Sequence, residues 1–144
     1  LTFKWKVYPE DLHGTMPLPA MRDGLISVFE WYQFKTPQRY NNPETSVEDL
    51  RVLLDGQEAI YSKNFGYKTA PMIEELFNGY GYMNLQMEQP EKAFLFFSMA
   101  IKYYLEHTNA YDAMAGYYSA QNNTTKAIEY VEKAYKLSGS YYYK

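Results

Sequence analysis

The chain has 144 residues, 47% apolar and 19% aromatic, with 17 tyrosines and a formal charge of −3. That is about one domain's length with enough apolar material for a core, and the mixed, slightly acidic charge argues against a nucleic-acid partner, whose phosphates call for a basic surface. The lack of cysteine excludes disulfides and thiolate sites and leaves the redox compartment open, while two histidines as far apart as His13 and His107 argue against zinc.

In chain order, Leu1 to Tyr8 (LTFKWKVY) alternates apolar and polar residues, the pattern of a strand with one buried face. Lys4 and Lys6 on its other face suit a sheet edge. Glu10 to Met16 reads as loop. Leu18, Met21, Leu25, Val28, Phe29 and Tyr32 fall at helical spacing, so a helix is expected over Leu18–Tyr32 with Pro17 and Pro19 at its start. Gly24 inside it costs about 1 kcal/mol relative to alanine, which a close backbone approach would explain.

Residues 35–45, polar and with two prolines, read as a linker and a module boundary. Thr45 and Glu48 form a capping-box pair for a helix from about Ser46 to Lys63, closed by Gly66. Further helices are expected over Ala70–Gln86, Pro90–Glu106, Ala110–Gln121 and Thr124–Leu137, with Asn109 and Asn123 as N-caps and Gly139 after the last. Their short connections make neighbours antiparallel. The longest apolar run, Phe94 to Ile101, is broken by Ser98 and is far too short to span a bilayer.

KAFLFFSMAIK from Lys92 aligns with KAIEYVEKAYK from Lys126, 34 residues on. Ala93 falls on Ala127, Ala100 on Ala134, Phe77 on Tyr111 and Gly81 on Ala115. Small residues stand where two helices must approach closely and large ones fill the gaps beside them, which is the tetratricopeptide pattern. The fold expected for residues 46–140 is therefore mainly α, in tetratricopeptide-like antiparallel hairpins. An earlier unit projected back from Phe77 is degenerate. Such arrays offer a concave groove to a protein or peptide partner. The groove positions here are Glu75, Asn78, Tyr82, Asn109, Asp112 and Gly116; none is basic, which argues against capture of a peptide's terminal carboxylate. A structural appendage on a parent enzyme is the plainer alternative. Tyr80, Tyr82, Tyr103, Tyr104, Tyr117, Tyr118 and Tyr130 read as core and rim rather than as a sugar-stacking platform. Tyr141 to Tyr143 reads as a frayed tail, and His107 as a surface residue favouring a helix end.

The N-terminal order is strand, acidic turn, His13-Gly14, helix. In α/β hydrolases the histidine comes last of the triad, on a loop after the final strand and before a closing helix. YPEDLHGTMPLPAMRDGLISVF resembles the C-terminal part of a bacterial esterase family within that superfamily, related to siderophore esterases. GYKTAPMIEELFNGYGYMNLQ, PEKAFLFFSMAI and NAYDAMAGYYSAQNNTTKAIEYVEKA look like the extension some members carry, so the resemblance covers nearly the whole chain. It implies that residues 1–34 are the last strand, histidine loop and closing helix of a hydrolase domain, and that His13 is the general base. The nucleophile would sit in a G-x-S-x-G elbow, and none of Ser27, Ser46, Ser62, Ser98, Ser119, Ser138 and Ser140 has that context. Glu10 and Asp11 are loop acids close to His13 in sequence; the family's triad acid normally comes from an earlier strand.

The expectation is the C-terminal piece of a serine esterase, inactive alone, whose partner is the parent hydrolase domain. The chain opens on Leu1 with no leader-like segment after it, and its compartment, periplasmic, secreted or cytoplasmic, stays open. No cofactor or metal is expected. Cut from the parent sheet, Leu1, Phe3, Trp5 and Val7 would pair with a second copy, pack on the helices or lose their order. The alternative is a free-standing repeat module for protein interaction with no catalytic role.

Overall fold

The computed structural model describes residues 5–33 and 36–138. Contacts divide the chain into two compact units, Leu1–Lys35 and Thr36–Lys144. The protein is mainly helical, and among the described residues there is no strand.

In the first unit, helix α1 runs over Pro17–Val28, and a 3-10 turn follows over Glu30–Tyr32. Proline's fixed φ and missing N–H cost nothing in a first helical turn, so the helix opens there without a side-chain cap. It stops at Phe29 (φ −105°, ψ 24°), short of the expected Tyr32. Leu1 to Lys4 of the expected strand lie outside the described residues. Trp5 to Tyr8 is not a strand: a strand needs a neighbour to take its N–H and C=O groups, and the described part of this unit offers no ladder. The segment is tied to α1 by side chains. Tyr8 Oη donates to Asp23 Oδ2 at 2.9 Å, and Lys6 pairs with the same carboxylate. A Cβ on Gly24 would meet nothing within 4 Å, so no close approach explains that glycine.

The second unit begins with a 3-10 turn, Pro37–Arg39, then α2 (Val47–Phe65), α3 (Glu74–Gln86), α4 (Pro90–Tyr103), α5 (Thr108–Ala120) and α6 (Thr124–Ser138). Ser46, not Thr45, caps α2: its Oγ accepts from Asp49 N at 3.0 Å while Thr45 is buried. The S-x-x-D frame competes with the T-x-x-E frame one residue earlier, and it wins because Thr45 packs inward. Gly66 ends the helix in the left-handed conformation, φ 79°. Helix α3 starts at Glu74, four residues later than expected, because Pro71 disfavours helical backbone at Ala70 and Ile73 is extended (ψ 158°). His107 occupies the N-cap position of α5 without a side-chain cap bond, and the expected cap, Asn109, lies inside the first turn. Asn123 does cap α6, accepting from Lys126 N at 3.2 Å. Gly139 and Tyr141 to Tyr143 lie outside the described residues.

Helix α3 packs on α4 and α5 on α6, with α4 against α5 joining the pairs. The turns within the pairs match bond for bond at the 34-residue offset. Gln89 N donates to Asn84 O and Asn123 N to Tyr118 O, both at 2.9 Å. Glu88 and Asn122 both take left-handed backbone, at φ 58° and 56°. Phe77, Phe96, Phe97, Leu95 and Met114 are fully buried between the helices, with Ala93, Ala113 and Gly81 making room. Residues 36–45 are not a free linker over their second half: Tyr40 is buried against Tyr80 and Phe96, with ring centroids 5.2 and 6.2 Å away.

Candidate functional site

His13 stands in the turn preceding α1. Thr15 Oγ1 accepts from Leu12 N at 2.9 Å and donates to Asp11 Oδ1 at 3.2 Å, closing the turn beneath it. Asp11 is thereby engaged with Thr15. The imidazole is exposed, and no described residue hydrogen-bonds to it. Around it, the unit presents apolar side chains rather than hiding them: Leu18 is 77% exposed and Trp5 76%, Met21, Leu25 and Val28 are exposed too, and none of the unit's described residues is buried. A groove of about 800 Å3 runs between the Trp5–Tyr8 segment and α1, lined by Trp5, Tyr8, Asp23, Gly24 and Ser27. His13 is not part of it. Lys6 and then Tyr8 hold the Asp23 carboxyl below its usual range, so it serves as an anion that fastens the segment.

In the helical unit the expected groove residues separate into two places. Tyr82 packs edge-on against Phe97 (5.1 Å, 69°), and its hydroxyl stands 3.4 Å from where a Gly116 Cβ would be. Burial, then the nearby Asp112 carboxylate, raises the Tyr82 phenol above its ordinary value. Tyr82 and Gly116 thus meet. Glu75 and Asn109 are exposed. Asn78 is buried and donates a long bond, 3.4 Å, to Glu74 Oε1.

Glu74 brings in a contact that residue patterning missed. Its Oε2 lies 2.6 Å from His107 Nδ1. His107 therefore does not close a helix. It stands at the N-cap position of α5 without a side-chain cap bond, its ring turned instead to the nearly buried carboxylate on the first turn of α3. The two residues are 33 apart in sequence, one less than the 34-residue offset, and the pair brings the starts of α3 and α5 side by side. That near-coincidence was the available signal. Replacing His107 with alanine should cost about 1–3 kcal/mol, because the Glu74 carboxylate loses its close partner while it stays buried. Glu74→Gln in the His107→Ala background should cost clearly less than Glu74→Gln alone; urea titrations of the four species measure the coupling.

The other tyrosines pack as rings. Tyr103 stacks on Phe77 at 6.1 Å, Tyr117 meets Phe94 at 5.5 Å, and Tyr118 stacks on Tyr130 at 5.5 Å. Tyr103 donates to Glu58, and Tyr104 to Met72 O at 2.9 Å. Among the described residues no group of three or more His, Asp or Glu is placed to hold a metal ion, and no helix is long and apolar enough to cross a membrane. No family model, curated protein or solved structure matches the chain.

Proposed function

We propose that this chain is the C-terminal part of a serine esterase of the α/β-hydrolase class. His13 supplies the general base there, and the helices from Val47 onward form a tetratricopeptide-like extension. The observation that carries this reading is the N-terminal unit itself. It presents an unengaged histidine on a tight turn and a helix with an uncovered apolar face, and it has no described buried residue of its own. Burying a Leu or Met side chain is worth roughly 1.5–3 kcal/mol, so such a unit gains its stability by packing against a larger body. A hydrolase sheet is the body that the His-Gly turn and the resemblance suggest. Within that body, His13 would take the serine proton and return it to the leaving alkoxide. The repeat reading is supported by the two matching turns and by Gly81 lying against Phe97, where the pattern calls for a small residue.

The test is ester hydrolysis by the full-length product of the coding sequence, with and without His13→Ala. The substitution should lower the rate about 10²–10⁴-fold, the span of a general base's contribution. Equal rates would remove His13 from the chemistry. A second reading is favoured by one observation: the helical unit owns a closed core around Phe77, Phe96 and Phe97. A free-standing interaction module would need no more than that. An upstream coding sequence with no G-x-S-x-G elbow between a strand and a helix would decide for the module.

A further inference from the structure

The stretch from Thr36 to Thr45 is bound to the helical unit in the way a peptide is bound. One side chain is an anchor: Tyr40 is 3% exposed, between Tyr80 and Phe96. The rest of the recognition is of main chain. Asn84, fully buried on α3, donates its Nδ2 to Tyr40 O at 3.1 Å. Lys92, buried on the first turn of α4, donates its Nζ to Asn42 O at 3.0 Å and Pro43 O at 2.8 Å. Among the described residues Lys92 makes no ion pair, although Glu88 and Glu91 line the cavity of about 780 Å3 beside it. A buried ammonium costs several kcal/mol unless its donors are satisfied, and here two carbonyls of one segment satisfy them. Burial pulls the Lys92 ammonium below its ordinary value, as that cost requires. Carbonyl capture together with one aromatic pocket is recognition with little dependence on the remaining side chains.

We propose that residues 36–45 fill, in cis, a peptide-binding groove built by Tyr80, Asn84, Lys92 and Phe96. Once this latch is released, the groove takes a segment of the same chemistry and the same turn-rich backbone from another chain. The partner is a peptide with an aromatic residue followed, two and three positions on, by the carbonyls that Lys92 grips. Covalent attachment gives the latch an effective concentration in the millimolar range, as for other short tethers, so a free peptide competes only when the anchor is weakened.

The experiment uses the whole chain and a labelled peptide TPQRYNNPET, followed by fluorescence anisotropy. The Tyr40→Ala chain should bind it at least about tenfold more tightly than wild type, and a peptide with alanine for tyrosine should not bind. No binding by Tyr40→Ala, or equal binding by both chains, would overturn the proposal. A second readout does not depend on Tyr40→Ala folding: trypsin should cleave after Arg39 at least about tenfold faster in Lys92→Met than in wild type, with helical circular dichroism unchanged. Unchanged cleavage would overturn it as well.

Discussion

Gly81→Ala should destabilise the helical unit by about 1–3 kcal/mol, the usual penalty for overpacking a filled core, whereas Gly79→Ala two residues earlier should stabilise it by up to about 1 kcal/mol. Both glycines lie in α3, where alanine is the better helix former. A Cβ at Gly79 would meet nothing within 4 Å. At Gly81 it would come within 2.7 and 2.8 Å of Cζ and Cδ1 of Phe97, and closer still to Cε1. Phe97 is fully buried, edge-on to Tyr82, near Tyr117 at 6.1 Å, and clustered with Ala93, Ala113 and Met114. The buried ring is hemmed in by these neighbours, so the clash is expected to outweigh the propensity gain. Chemical denaturation of the two variants gives the sign directly. In a Phe97→Leu background the penalty at Gly81 should shrink, because the edge that the new methyl strikes is gone.

Between pH 10 and pH 12 the helical unit should lose about 2–3 kcal/mol of stability through Tyr40 alone. Burial, then the neighbouring Tyr80 and Tyr61, pushes the Tyr40 phenol from 10.0 up to about 12. The folded state therefore holds that proton more tightly than the unfolded chain. The contribution is complete below pH 10 and is lost as pH rises through the folded value, at about 1.4 kcal/mol per pH unit. Tyr80, Tyr103, Tyr117 and Tyr130 are raised by burial as well and add in the same direction. Lys92, lowered, works the opposite way near its own titration. Denaturation midpoints measured along this pH range, alongside tyrosinate absorbance, test the claim. Tyr40→Phe should flatten the decline, and an unchanged slope in that variant would exclude Tyr40 as its source.

The helices were legible because periodicity, prolines and caps agree along most of the chain. Where boundaries moved, the reasons are local. Pro71 pushed the start of α3 back to Glu74, and Ser46 displaced Thr45 as a cap. Residues 35–45 read as linker because their composition is polar and proline-rich. Nothing near Tyr40 in sequence announces Asn84 or Lys92, which are 44 and more residues away. The Glu74–His107 pair was hidden for the same reason. The alternation of Leu1 to Tyr8 describes a strand's habit, but a strand exists only beside a neighbour, which composition cannot supply and which the described part, Trp5 to Tyr8, does not have. For His13 the pattern marks a turn, and the structure shows that turn closed by Thr15 with the imidazole exposed.

The matching turns at Glu88 and Asn122 have a consequence for how such a chain can grow. Left-handed backbone at those two positions rests on glutamate and asparagine, not on glycine; asparagine tolerates it, whereas at Glu88 the packing of the α3–α4 pair must hold the bend. A duplication that copies one pair therefore copies its joint. Chain spliced in or out from Glu88 to Asn122 would rejoin at closely similar backbone, φ 58° and 56°, so a helix pair could be added or removed without inventing a new corner.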